Sequence, residues 1–224
     1  MSYATLTQRL GISIDQQLLE TALTHTSFSY ENGKTPDNER LEFLGDSVLG
    51  FLVTDHLFRA NPDLDEGELS RLRNSTVSAK TLSLAATQIG LGEFLRLGKG
   101  ESLSGGFSKP NILADALEAI IGAAFLSGGL ESARTVVEKF ILPLVDDREL
   151  LLETSEPRTV LLELSKKLGL GEPVFEVSFT GPDHDRLFFA KVIIQDKVIA
   201  SGEGKSRKSA EAMAASSALN QLRS

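Results

Sequence analysis

The stretch Asn38-Glu39-Arg40-Leu41-Glu42-Phe43-Leu44-Gly45-Asp46-Ser47 arranges its charges as an ordinary surface helix does not. Wound at ~100° per residue, it puts Glu39, Glu42 and Asp46 at roughly 0°, 300° and 340°, one narrow acidic stripe with Phe43 set in it at roughly 40°. Leu41, Leu44, Val48, Phe51 and Leu52 fall at roughly 120–220° and are expected to face the core. Like charges at i,i+3 and i,i+4 spacing repel by a few tenths of a kcal/mol per pair. A divalent cation among them is the simplest way to offset that cost.

Asn111-Ile112-Leu113-Ala114-Asp115-Ala116-Leu117-Glu118-Ala119-Ile120-Ile121-Gly122 repeats the theme. Asp115 and Glu118 are i,i+3 neighbours on a helix otherwise apolar or small, hence buried nearly all round. Two carboxylates there need a cation or a donor, or they take up protons. Between the two segments, Asp65-Glu66-Gly67-Glu68 offers further carboxylates in a loop expected to lead into a new helix. Oxygen donors in a chain without cysteine suit magnesium or manganese and argue against zinc. The competing reading makes Glu39 and Glu42 a solvated face and Asp115 a helix-start charge.

At 224 residues the chain has room for one large domain or two ordinary ones, and 41% hydrophobic residues against 24% charged can build a real core. The lack of cysteine excludes a disulfide framework and fits a reducing compartment. Met1 to Leu10 lack the marks of a secretion signal, and no uninterrupted apolar run nears ~18 residues, so a cytoplasmic protein without a membrane span is expected. Charge is uneven. Up to Leu152 there are 13 Lys and Arg against 21 Asp and Glu, a net of −8; from Glu153 onward there are 10 against 10. A polyanionic partner therefore needs a local basic patch and neutralised carboxylates.

The periodicity changes near residue 150. Before it, helices are expected over Gln16–Leu23, Asn38–Ala60, Glu68–Ile89, Asn111–Ser127 and Leu130–Leu144. Arg148–Glu156, ending at Pro157, reads as a linker. After it come a helix over Arg158–Leu168, alternating Phe175, Val177 and Phe179, a Gly181-Pro182-Asp183-His184 turn, strands over Leu187–Ile194 and Val198–Ala200, and an alanine-rich helix over Ser206–Leu222. The fold class is thus α+β: an all-α domain over 1–150, a linker over 151–157 and a small α-β-β-β-α domain over 158–224. Gly202-Glu203-Gly204-Lys205-Ser206-Arg207-Lys208 makes Ser206 the N-cap of the last helix and sets two cations on its positive end. Phosphates there would supply the missing negative charge and accept bonds from the open N–H groups. Solvating charge on a turn is the other reading.

These residues resemble the bacterial ribonuclease III family. The decade from Asn38 to Ser47 resembles its signature, with Ala22-Leu23-Thr24-His25-Thr26-Ser27 before it and Ile112 to Ala119 after it. The second half is similar to a double-stranded-RNA-binding domain, through Gly181-Pro182-Asp183-His184 and Gly204-Lys205-Ser206-Arg207-Lys208-Ser209-Ala210.

The resemblance implies a metal-binding core of Glu42, Asp46, Asp115 and Glu118 holding Mg2+, with Mn2+ as a substitute. Its catalytic set is Asp46 and Glu118 with the outer acids Glu39 and Glu66. Phe43 matches a residue that plugs into the second copy of a homodimer. RNA contacts are implied for Thr159, Glu163, Pro182, His184, Lys205, Ser206, Arg207 and Lys208. Leu162 and Glu211 depart from the family pattern, Leu162 standing where the RNA-binding helix often has a glutamine and Glu211 where some relatives have a lysine. The implied reaction is hydrolysis of double-stranded RNA by magnesium-activated water, leaving 5′-phosphate and 3′-hydroxyl ends on ribosomal RNA precursors and other structured transcripts. No histidine is needed: His25 reads as a capping or packing residue, whereas His184 on its turn is placed to enter an RNA minor groove. Two other classes fit the same text, a relative that only binds RNA and a hydrolase of another phosphate ester on an acidic helical bundle. The first is disfavoured by six acidic residues at the six expected positions, the second by the basic turn after a three-stranded sheet.

Overall fold

The computed structural model describes residues 3–144, 157–182 and 186–223. The linker expected over Arg148–Glu156 and the proposed groove residue His184 lie outside these. Contacts divide the chain into two compact units, Met1–Asp147 and Arg148–Ser224.

The first unit is helical: α1 (Tyr3–Leu10), α2 (Gln16–Ala22), α3 (Thr26–Glu31), α4 (Glu39–Ala60), α5 (Glu66–Thr76), α6 (Ala79–Ile89), α7 (Lys99–Leu103) and α8 (Pro110–Phe140). Side chains fix many of the boundaries. Asp15 and Ser78 cap α2 and α6, and His25 caps α3 by accepting from the Ser27 N–H through Nδ1. Ser78 divides the expected Glu68–Ile89 helix into α5 and α6. The first of these starts earlier than expected, because Asp65 and Glu68 form a capping box around its first turn. The carboxylates of Asp65 and Glu68 are thereby spent on backbone N–H groups.

Helix α8 bends where Gly128 and Gly129 leave helical geometry, between the two helices expected there, and its last turn ends at Phe140 before a 3-10 turn at Leu142–Leu144. By length and composition it passes for a membrane span, with an 18-residue window of mean hydropathy 1.5, against the expectation of no such stretch. Yet 61% of that window is buried inside the fold. Ile112, Leu113, Ala116, Leu117, Ala119, Ile120 and Ala123 make it the central helix of the unit, packed on α4 and α6.

Gly45 and Gly122 allow α4 and α8 to touch backbone to backbone. A Cβ on Gly45 would stand 1.8 Å from the Glu118 carbonyl oxygen, and one on Gly122 would stand 2.4 Å from that of Leu41. The contact sets the rotation of α4. Its buried face is Leu41, Gly45, Val48, Leu49, Leu52 and Val53, turned from the expected stripe, so that Phe51 is exposed.

The second unit packs α9 (Pro157–Lys167) and α10 (Arg207–Arg223) on one face of an antiparallel sheet ordered β1 (Val174–Thr180), β2 (Leu187–Ile194), β3 (Lys197–Gly204). Gln195 and Asp196 connect β2 to β3 with φ of 49° and 60°, the left-handed pair of a two-residue hairpin. Leu161, Ala190, Val192, Ile194, Ala200, Ala214, Ala218 and Leu219 form the core, joined by Phe175 and Val177. Alanines on α10 let the helix lie close to β3: a Cβ on Gly202 would meet the Ala214 nitrogen at 2.3 Å. Phe179, expected to alternate inward, is largely exposed at the strand end, against Phe188 and under Arg186.

Candidate active site

The α4–α8 contact brings Glu42 beside Asp115 and Glu118. One carboxylate oxygen from each lies within 4.8 Å of the others, and all three residues are half-buried. Asp46, one turn along α4, is exposed on the rim and acts on both Glu42 and Glu118 through its charge. Burial raises the Glu42 pKa, helped by Asp115, Glu39 and Asp46. Asp115 is raised by burial against the opposing influence of His25. Glu118 is pushed up to about 8 by burial and then by Asp46, Glu42 and Asp115. Glu42, Asp115 and Glu118 thus converge from two helices in backbone contact, a cluster of oxygen donors of the kind that a hard divalent cation takes.

Glu39 is exposed at the start of α4, close enough to raise Glu42. Glu66 is exposed at the first position of α5 and accepts a hydrogen bond from the Ser70 hydroxyl at 2.9 Å; it is not part of the three-carboxylate cluster. Phe43 is 79% exposed on α4, and Phe51 and Phe58 extend an aromatic row along the same side. A cleft of about 1300 Å³ opens beside Phe43, lined by Tyr30, Pro36, Arg40 and Leu44 among others.

Several contributors were missed in the sequence. Gly45 and Gly122 were legible as small residues inside apolar helix text, but their pairing is tertiary. Arg96 is another case, while His25 caps α3 as expected: the His25 N–H donates to the Arg96 carbonyl at 3.1 Å and the Arg96 N–H to that of Leu23 at 2.8 Å. This bridge, with Asn38 N–H on the Thr24 carbonyl at 2.9 Å, ties the start of α4 to the preceding motif.

In the second unit, Thr159 and Glu163 share one side of α9. Pro182, Lys205, Ser206, Arg207 and Lys208 are exposed. Ser206 caps α10, accepting from the Ser209 N–H at 3.1 Å while its own N–H donates to the Ser209 hydroxyl at 3.0 Å. Arg207 is not isolated: its Nε donates to Glu211 at 3.0 Å.

A helical unit built around an acidic cluster and followed by an α-β-β-β-α module defines a nuclease domain joined to a double-stranded-RNA-binding domain. Residues 15–145 match the Ribonuclease-III-like family and residues 157–222 the double-stranded RNA binding motif. The chain is 51% identical over 219 residues to Ribonuclease 3 of Leifsonia xyli, covering 98% of this chain and 92% of that one. It is 46% identical to Ribonuclease 3 of Streptomyces coelicolor, covering 99% of this chain and 80% of the relative. The nuclease domain of ribonuclease III from Campylobacter jejuni, described for flexibility in a region involved in dimer formation, superposes with a TM-score of 0.61 at 42% identity, over 65% of this chain and 99% of that one. The chain belongs to the ribonuclease III family of double-stranded-RNA-binding endoribonucleases.

Proposed function

We propose that this protein hydrolyses phosphodiester bonds of double-stranded RNA with magnesium, as a homodimer in the cytoplasm. The observation that carries the reading is the convergence of Glu42, Asp115 and Glu118 from α4 and α8. These three, with Asp46 on the rim, would hold the cation, magnesium or manganese in its place. Such a cation supplies a nucleophilic water at neutral pH and offsets charge on the phosphodiester. The residues supply the rest. Burial keeps the carboxylates poor partners for water and, in the metal-free site, for one another, so that binding a cation relieves their repulsion. Glu39 and Glu66, exposed on α4 and α5, are assigned to organising the RNA strand at the cut. Thr159, Glu163, Pro182, His184, Lys205, Ser206, Arg207 and Lys208 are assigned to the duplex, through phosphates and the minor groove. Phe43, a large apolar ring exposed beside a cleft partly walled by Leu18, Tyr30, Pro36 and Leu44, is assigned to the dimer contact. Ribosomal RNA precursors and other structured transcripts are the expected substrates.

The test is incubation of the purified protein with a long RNA duplex with and without magnesium, followed by end analysis of the fragments. Short fragments bearing 5′-phosphate and 3′-hydroxyl ends, formed only with the metal, are expected. Intact duplex under both conditions, with binding retained, would instead assign the chain to the relatives that only bind RNA.

A further inference from the structure

Glu211 is a carboxylate in the first turns of α10, one helical turn from Arg207, and it is only 4% exposed. Its two oxygens serve different elements. Arg158, at the start of α9, donates through Nη1 to Oε2 at 2.6 Å, and Arg207, at the start of α10, donates through Nε to Oε1 at 3.0 Å. The Arg158 guanidinium also lies over the Phe175 ring, 5.0 Å from its centre. Both arginines remain open to solvent, with side chains 53% and 70% exposed. Because Arg207 spends Nε on the carboxylate, its two terminal nitrogens make no other hydrogen bond among the described residues. Between the helices runs a groove of about 500 Å³ whose walls include Arg158, Thr159, Leu162, Phe175 and Lys208.

A buried acid at a surface meant for a polyanion weakens the attraction unless it does something else. An exposed arginine loses side-chain entropy when it is immobilised on a phosphate. One already fixed by a carboxylate and a ring has lost part of that beforehand. Resting on the reading that α9 and the start of α10 face the duplex, we infer that Glu211 is a positioning residue: it holds Arg158 and Arg207 as a fixed pair of guanidiniums, and Arg158 is a further phosphate contact.

The opposite account makes Glu211 a mere neutraliser of its two partners, and the two accounts differ in sign. The full chain is titrated with a duplex of about 30 base pairs in chelator, so that no cleavage intervenes, across a range of salt. Glu211→Gln removes the charge and Glu211→Asp keeps it while withdrawing the carboxylate by one methylene. Positioning requires both to weaken binding, by about 3- to 10-fold, with unchanged far-ultraviolet circular dichroism. Arg158→Gln is expected to lower the slope of log affinity against log salt by about one, and Arg158→Lys to restore that slope but not the full affinity. Wild-type or tighter binding by both Glu211 variants would overturn the positioning role, and an unchanged slope for Arg158→Gln would overturn the contact. If Glu211→Gln does not fold, Glu211→Asp and the Arg158 pair decide. Lys208→Ala is the control for the underlying reading. If it too leaves affinity and slope unchanged, the RNA surface itself is misassigned; if it weakens binding while the Glu211 variants do not, only the present inference fails.

Discussion

Glu118 carries the sharpest electrostatic conflict in the first unit, and its consequences can be measured without RNA. Its folded pKa of about 8 stands above the ordinary 4.5. Between those two values the folded, metal-free protein holds a proton that the unfolded chain has released. Stability from this group is therefore full below pH 4.5 and is lost as pH rises towards 8. Thermal unfolding in chelator is expected to show a melting temperature that falls from pH 5 to 8.5 in the wild type and falls far less in Glu118→Gln. At pH 8.5 the variant should be more stable by roughly 2 kcal/mol, a fraction of what ~1.4 kcal/mol per pKa unit would give. A magnesium ion competes with that proton, so added magnesium should stabilise the wild type most at high pH and the variant much less. The same substitution keeps size and helix propensity while removing an anionic ligand, so it should abolish cleavage and leave duplex binding largely intact. Parallel melting curves for the two proteins would refute the buried-proton account, and cleavage near the wild-type rate in ordinary magnesium would refute the assignment of Glu118.

The helices α4 and α8 bring that chemistry together only because two glycines let them meet. Gly45→Ala would put a methyl group where the Glu118 carbonyl oxygen stands, 1.8 Å from the ideal Cβ. Neither backbone can yield without moving the other helix, so a loss of about 3 kcal/mol or more is expected, at the upper end for overpacking. Magnesium affinity should fall together with stability in that variant, whereas Gly50→Ala, with open space around its Cβ, should change neither. Calorimetric titration beside denaturant unfolding checks both. The glycines also mark where sequence reading reached its limit. Spacing alone put Asp115 and Glu118 together on a buried helix and Glu42 on an acidic stripe, because i,i+3 geometry is local. Which face of α4 meets α8 is not local, and the expected stripe containing Phe51 was turned away from the true one by the Gly45 contact. The division of Glu68–Ile89 is different, because local caps set it: Ser78 starts α6 against continuous helical periodicity, and the Asp65–Glu68 capping box starts α5; α1, α3 and α7 are too short to carry a period. In the second unit the alternation of Phe175 and Val177, the β2 run and the alanines of α10 were enough to place sheet and helix. The Arg158–Glu211 pair was not, since it joins residues 53 positions apart, whereas Arg207–Glu211 is a local i,i+4 pair.

Two compact units divide the labour, and each can be disabled separately. Changing Arg207 and Lys208 together to alanine should weaken affinity about equally for duplexes of any sequence and flatten its salt dependence, while single-turnover cleavage at saturating RNA and low salt persists. An unchanged slope with lost cleavage would show that these residues are not phosphate contacts. The proposed assembly of the nuclease units rests on a different surface. Phe43, Phe51 and Phe58 lie along one side of α4, and a monomer leaves 79%, 56% and 70% of them exposed. Water contact with three aromatic rings on one helix costs a few kcal/mol in total at about 25 cal/mol per Å², and a second copy of the chain is the partner that symmetry offers, each copy bringing a ring and a cleft. The cleft beside Phe43 is walled by Leu18, Tyr30, Pro36, Leu41, Leu44 and Leu126, with Lys34, Asp37, Glu39 and Arg40 also in its lining, so a phenyl ring finds apolar wall within a charged surround. Phe43→Glu removes that ring and drives a carboxylate towards the same wall, so it should weaken the dimer by a few kcal/mol, or at least about 100-fold in dissociation constant. Phe43→Leu retains apolar bulk and should cost less. Sedimentation velocity at low protein concentration reads the outcome directly: a monomer boundary for Phe43→Glu, with wild-type circular dichroism, is expected, and an unchanged dimer mass would refute the contact.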